Sequence, residues 1–147
     1  PAPVPVNTSK KVYLYEKSIG FYSNISYTAP DYKFDLTKAN KVRMKVFVPS
    51  YNDYTTVADV AGDWIAVNQL QKQVAVKLQN SAAGGSAWET QTEIVKTNLT
   101  TDQWIELEFD FSEVKDRKDY DKIVIQFGAE GHAAPGIFFF DDFYFGE

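Results

Sequence analysis

From Lys41 to Val48 the chain alternates: Val42, Met44, Val46 and Val48 fall on one side and the three cations Lys41, Arg43 and Lys45 on the other. Successive side chains of a strand point to opposite faces, so this period of two predicts a half-buried β-strand, which Pro49-Ser50 ends. The same phase recurs where Val74, Val76 and Leu78 alternate with Ala75, Lys77 and Gln79. Ile105, Leu107, Phe109 and Phe111 alternate with Glu106, Glu108 and Asp110, and Ile123, Ile125 and Phe127 with Val124 and Gln126. Weaker strand patterns cover 12–15, 22–28, 63–68 and 88–96, and the chain closes on an aromatic run from Gly136 to Phe145. Helix-like patterns are confined to about 54–61 and 112–118, too short to stand without tertiary support, and a parallel α/β sheet would need longer crossover helices. About nine short strands punctuated by turn chemistry predict an all-β domain, two antiparallel sheets packed face to face as a sandwich, with a single barrel as the alternative.

Composition agrees with this reading. The chain has 147 residues, of which 16% are aromatic, and no cysteine, so the core must hold without disulfides and no thiolate can bind metal or act as nucleophile. Its length suits one domain. Residues 1–10 open with Pro1-Ala2-Pro3-Val4-Pro5-Val6, an extended, linker-like stretch that suggests excision from a longer multidomain protein, and 11–147 form the single domain. The 15 Lys+Arg against 20 Asp+Glu give a net charge of −5 without a long basic block, which argues against a nucleic-acid partner. No stretch approaches the roughly 20 apolar residues of a membrane-spanning helix.

Catalysis finds little support. His132 is the only histidine, in the loop Gly131-His132-Ala133-Ala134-Pro135-Gly136, and reads as a solvated loop residue. Glycosidase carboxylate pairs cannot be picked out among 20 acids, and Glu106, Glu108 and Asp110 read as a solvated outer strand face. We therefore expect a protein that is not an enzyme.

In Phe138-Phe139-Phe140-Asp141-Asp142-Phe143-Tyr144-Phe145, strand alternation places Asp141 on one face and Asp142 on the other, with aromatics on both. A carboxylate near apolar surroundings needs a hydrogen bond, an ion pair or a cation. All-oxygen coordination would suit a structural Ca²⁺; the alternative is that both aspartates are solvated or hydrogen-bonded at a strand end.

Tyr51, Tyr54, Trp64 and Trp88 lie in or beside turn-rich segments. Flat aromatic faces stack on the C–H faces of sugar rings, and loops on a rigid sandwich are suited to present them; the alternative is that these rings cover the ends of the sandwich. Trp88 follows the small, flexible run Ser81 to Ala87, and Trp64 sits in Gly62-Asp63-Trp64. Lys77, Gln79, Gln91, Glu93 and Gln126 form a second set, projecting from strand faces as a polar groove or as a plain solvated surface.

In their order, Val12-Tyr13-Leu14-Tyr15-Glu16, Lys41 to Ser50, Val74 to Gln79, Trp104 to Phe111 and Phe138 to Tyr144 resemble the jelly-roll carbohydrate-binding modules of the galactose-binding-like class. The nearest likeness is to modules attached to secreted glucanases and surface glycan-binding proteins of Bacteroidetes-type bacteria. The resemblance implies a two-sheet β-jelly roll, an extracellular or outer-surface location and binding of a β-glucan, with laminarin-like β-1,3-glucan preferred. It also implies a structural Ca²⁺ held by Asp141 or Asp142, with Asp141 favoured, together with backbone carbonyls and Glu16 near the first strand. The long segment from Ser50 to Gln73 departs from the class pattern. The expected function is non-catalytic polysaccharide binding within a longer parent chain, with Trp64 and Trp88 as stacking platforms and Tyr51 and Tyr54 as secondary contacts. The competing expectation is a structural spacer or protein-interaction sandwich.

Overall fold

The structure, a computed structural model, describes residues 5–57, 69–129 and 135–147. Eight strands are present among them: β1 (Tyr13–Lys17), β2 (Ile25–Thr28), β3 (Lys41–Phe47), β4 (Val74–Gln79), β5 (Thr92–Lys96), β6 (Trp104–Asp110), β7 (Lys122–Phe127) and β8 (Gly136–Gly146). They form two antiparallel four-stranded sheets, sheet A in the order β1-β8-β3-β6 and sheet B in the order β2-β7-β4-β5. This interleaving is the winding of a jelly roll, and the sandwich predicted from the alternation is the observed fold. The strand pattern at 63–68 falls outside the described residues.

The alternating phases become the core. Val42, Met44, Val46 and Val48 from β3 and its exit meet Leu107, Phe109 and Phe138 from the same sheet, and Val74, Val76, Leu78, Ile123, Ile125 and Phe127 from the other. Phe127 lies between Phe138, stacked at 5.1 Å, and Tyr15, tilted at 5.5 Å.

β8 does not keep one phase. Phe140 stands opposite Val46 and Asp141 opposite Lys45, whereas Tyr144 stands opposite Arg43 and Phe145 opposite Val42, so Asp142 and Phe143 together face Met44. The extra residue is a β-bulge, with Asp142 at φ 48, a conformation aspartate tolerates better than most side chains. The bulge resets the alternation, and Phe145 returns to the core beyond it. It also corrects the expected placement of the two aspartates. Asp142 Oδ2 accepts from Lys45 Nζ at 2.6 Å, so both carboxylates reach the outer face of sheet A.

The segment predicted as a flexible turn after β4 is instead two short 3-10 turns across Ser81–Thr90, joined at Gly84. Gly84 has φ 58 and ψ −125, which a side chain would oppose. Only Ser112–Val114 of the second helix-like pattern is helical, as one 3-10 turn.

Candidate functional site

Sheet B carries the most unusual surface. The second phase of β4 and β7 points away from the core, yet Lys77 is 4% exposed, Gln79 6% and Gln126 3%, and Ala75 and Val124 beside them are also buried. Of the two alternatives for this set, a polar groove or a plain solvated surface, the burial of Lys77, Gln79 and Gln126 removes the plain solvated surface, while their outward direction stands.

Register sets these groups in rows across the sheet. Lys77 lies between Val124 of β7 and Glu93 of β5, Gln79 is opposite Lys122, and Ala75 is opposite Gln126. Lys77 Nζ meets Glu93 Oε2 at 3.2 Å, and Gln79 Nε2 donates to Gln91 Oε1 at 2.9 Å. Polar groups withdrawn from water must be bonded, and these are fixed in direction by doing so.

At the Gln79–Gln91 end of this face, the 81–90 segment is locked from several sides. Asn80 Oδ1 accepts from the Ala82 amide, Thr90 Oγ1 accepts from the Asn80 amide and donates to Ala87 O, and Gln91 N donates to Trp88 O. Asp121 receives the Ser81 amide and hydroxyl, each at 2.7 Å, and the Lys33 ammonium at 2.7 Å. Burial alone would raise the Asp121 carboxyl, but the Lys33 and Ser81 donors outweigh it and hold its pKa down to about 2. On this fixed support the Trp88 side chain is left 62% exposed.

The other aromatic candidates lie elsewhere. Tyr51, 66% exposed, and Tyr54 follow the far end of β3, where β8 begins and β4 begins. Trp88 belongs to the opposite end of the sandwich, a strand length of roughly 20 Å away, so the three do not share a site. Tyr54 is half-buried: its hydroxyl donates to Pro49 O at 2.7 Å and accepts from Asn52 Nδ2, while Lys72 Nζ lies 5.1 Å from its ring centroid. It serves as a brace for its loop. Trp64 and His132 lie outside the described residues.

The expected metal ligands are not brought together. Glu16 is exposed and pairs with Ile137, four strand positions from Asp141. Asp141 is covered by the N-terminal segment: the Ser9 hydroxyl and Asn7 amide donate to it and hold its carboxyl below the ordinary range. Asp142 is taken by Lys45. Among the described residues, no three His, Cys, Asp or Glu side chains converge as a metal cluster.

Sequence reasoning passed over Tyr27, Tyr32, Lys33, Phe34 and Asp121, all near one end of the sandwich. Residues 29–39 carry no strand period, and nothing local signals that Lys33 will reach Asp121. Among the described residues no helix is long and apolar enough to cross a membrane. No family model matches the chain, and no curated protein matches it.

Proposed function

We propose that the domain binds a polysaccharide outside the cell and catalyses no reaction itself, with the exposed Trp88, Gln91 just before the adjoining strand β5 and Glu93 within it as the contact surface, all three reaching solvent. The observation that carries this reading is the exposed indole of Trp88 on a locked segment that joins β4 to β5 at the Gln79–Gln91 end of sheet B. Leaving so large an apolar side chain in water forgoes on the order of 2 kcal/mol of burial, which a stacked ligand would recover. Hydroxyls of a sugar chain need donors and acceptors in fixed directions, and Gln91 and Glu93, held by the buried Gln79 and Lys77 and reaching water, offer both kinds. The jelly-roll winding agrees with the resemblance to secreted carbohydrate-binding modules, from which the preference for a laminarin-like β-1,3-glucan comes. Tyr51 stands apart as a secondary contact, and Trp64 remains a candidate from its sequence setting.

Affinity electrophoresis tests the proposal. The wild-type domain should be retarded in gels containing laminarin and not in gels without polysaccharide, and Trp88→Ala should lose at least ten-fold in affinity while keeping its melting temperature. Free migration of the wild type in laminarin, mixed-linkage glucan and xylan would defeat the reading. The accompanying calcium proposal rests on Asp141 alone, since Glu16 and Asp142 are placed apart from it or engaged. A melting temperature that is the same in EDTA and in millimolar CaCl2 would remove it.

A spacer or protein-interaction role draws on a different observation. Leu14, Phe139, Phe47 and Trp104 stand in register across all four strands of sheet A on its outer face. Phe47 lies 5.7 Å from Trp104 and 6.1 Å from Phe139 by ring centroids. Such an apolar row is uncommon on a face otherwise filled with charge, and it would suit a neighbouring domain.

A further inference from the structure

The sandwich is open along one flank, where edge strand β2 faces the last residues of β8. Between them lies a cleft of about 680 Å³, walled by Ile25, Ile123 and Ile125 from sheet B and by Phe145 and Phe34. Phe34 packs edge-on against Phe145 at 5.1 Å and against Tyr32 at 6.3 Å, so the wall is a continuous aromatic surface. Tyr27, Tyr32 and Phe143 form an exposed rim. The volume lies within the roughly 300–1,000 Å³ of small-molecule sites, and its apolar floor suits a hydrocarbon.

A second depression of about 410 Å³ continues from the first through Lys33, Phe34 and Asp35, and adds Lys115, Arg117 and Lys118. It holds four cations and one acid on a domain whose net charge is −5. Arg117 is fixed by Asp119 at 2.8 Å and lies over the Tyr120 ring at 4.3 Å. Lys33 is fixed by Asp121, and the Asp35 carboxylate is occupied by Thr37 and Lys38. Lys115 and Lys118 are exposed.

We propose that this joined depression binds an anionic single-chain amphiphile, with the hydrocarbon chain in the aromatic cleft and the anionic head in the basic recess. The cleft alone would accept any apolar body; the recess makes the choice of head. Each methylene taken from water contributes about 0.8 kcal/mol, so a chain of several carbons suffices for measurable binding once the costs of association are met. With Arg117 balanced by Asp119, Lys33 by Asp121 and Asp35 by Lys38, the positive excess of the recess falls on Lys115 and Lys118; a negative head gains from it and a positive head is repelled there. This site is distinct from the Trp88 face, and neither reading depends on the other.

Isothermal titration with dodecanoate and with dodecyltrimethylammonium, both below their micellar concentrations, tests the assignment. Dodecanoate should bind the wild-type domain and the cationic amphiphile of equal chain length should bind at least ten-fold more weakly. Ala39→Trp, which places bulk into the cleft, should weaken dodecanoate binding at least ten-fold. The double change Lys115→Glu and Lys118→Glu should weaken it at least three-fold and leave the cationic probe no weaker. Both variants should keep the wild-type circular dichroism spectrum and melting temperature, which separates loss of this site from loss of the fold whether or not the domain binds a glycan. Absence of dodecanoate binding by the wild type, equal binding of the two probes, or dodecanoate binding unchanged in both variants would overturn the proposal. So would sedimentation with phosphatidylglycerol vesicles without binding of free dodecanoate, which would move the site to a lipid surface.

Discussion

The outer faces of the two sheets use the same ingredients in opposite ways. On sheet A, the half-exposed cations of β3 lie between acids of β6 and β8 that are more exposed still, with Arg43 meeting Glu108 at 2.8 Å and Lys45 meeting Asp142 at 2.6 Å. On sheet B, Lys77 also meets an acid on the neighbouring strand, but its side chain is only 5% exposed. Exposed pairs gain little because water already solvates both charges; a buried ammonium has given up that solvation and depends on its partners. Two alternating strands, each with lysine in its outward phase, thus meet different surroundings: part-exposed ion pairs on one sheet and a buried ammonium on the other.

The largest expected effect is on sheet B. Glu93→Ala removes one partner of the buried Lys77 ammonium and should cost about 2 kcal/mol in urea unfolding, with the slope unchanged. A loss below 0.5 kcal/mol would place Lys77 with the half-exposed lysines of sheet A and end the contrast.

Asp121 extends the contrast to acid. Its folded pKa, about 2, lies below the ordinary carboxylate value of 3.8, so the stabilisation is complete above that ordinary value and is lost as pH falls through about 2. Asp121→Asn should be destabilised by about 2 kcal/mol at pH 7, and the gap should close between pH 4 and pH 2 when unfolding is followed by circular dichroism. A gap that persists unchanged at pH 2 would mean that the Ser81 and Lys33 bonds do not distinguish the charged from the neutral carboxyl.

Gly84→Ala should cost about 1 kcal/mol in thermal melts, since its positive φ penalises any side chain, and it should loosen the support of Trp88. The smallest effect is on sheet A: Glu108→Ala should change stability by less than about 0.5 kcal/mol, and less still at high salt. A cost equal to that of Glu93→Ala would show that exposure does not separate the two faces.

How legible these features were depends on how local their causes are. β3, β4, β6 and β7 are visible in the chain because a strict period of two is all that is required. The bulge in β8 is not, since aromatics on both phases of Phe138 to Phe145 give no sign of where the register slips. Alternation assigned Lys77 and Gln79 to the outward face but could not say what lies over that face. Trp88 and Tyr51 looked like members of one set by residue type and loop setting, yet the jelly-roll winding delivers them to opposite ends. The aromatic cleft was missed because Tyr32 and Phe34 follow no period and the strand pattern over 22–28 does not say what Tyr27 will face; only the approach of β2 to β8 assembles them.

The pairing of β1 with β8 also decides how the domain bears load. The first strand and the last are antiparallel neighbours, and the entry to β1 lies beside Phe140, on the same side as the exit of β8 at Gly146. Tension between those two points does not shear the ladder along its length; it peels it. The Asn7 and Ser9 bonds to Asp141 sit at the point of peeling and act as a latch, and once they give, the rungs from Tyr13–Phe140 onward open one after another. Pulled by its ends, this domain is a zipper, with a low and gradual resistance to force.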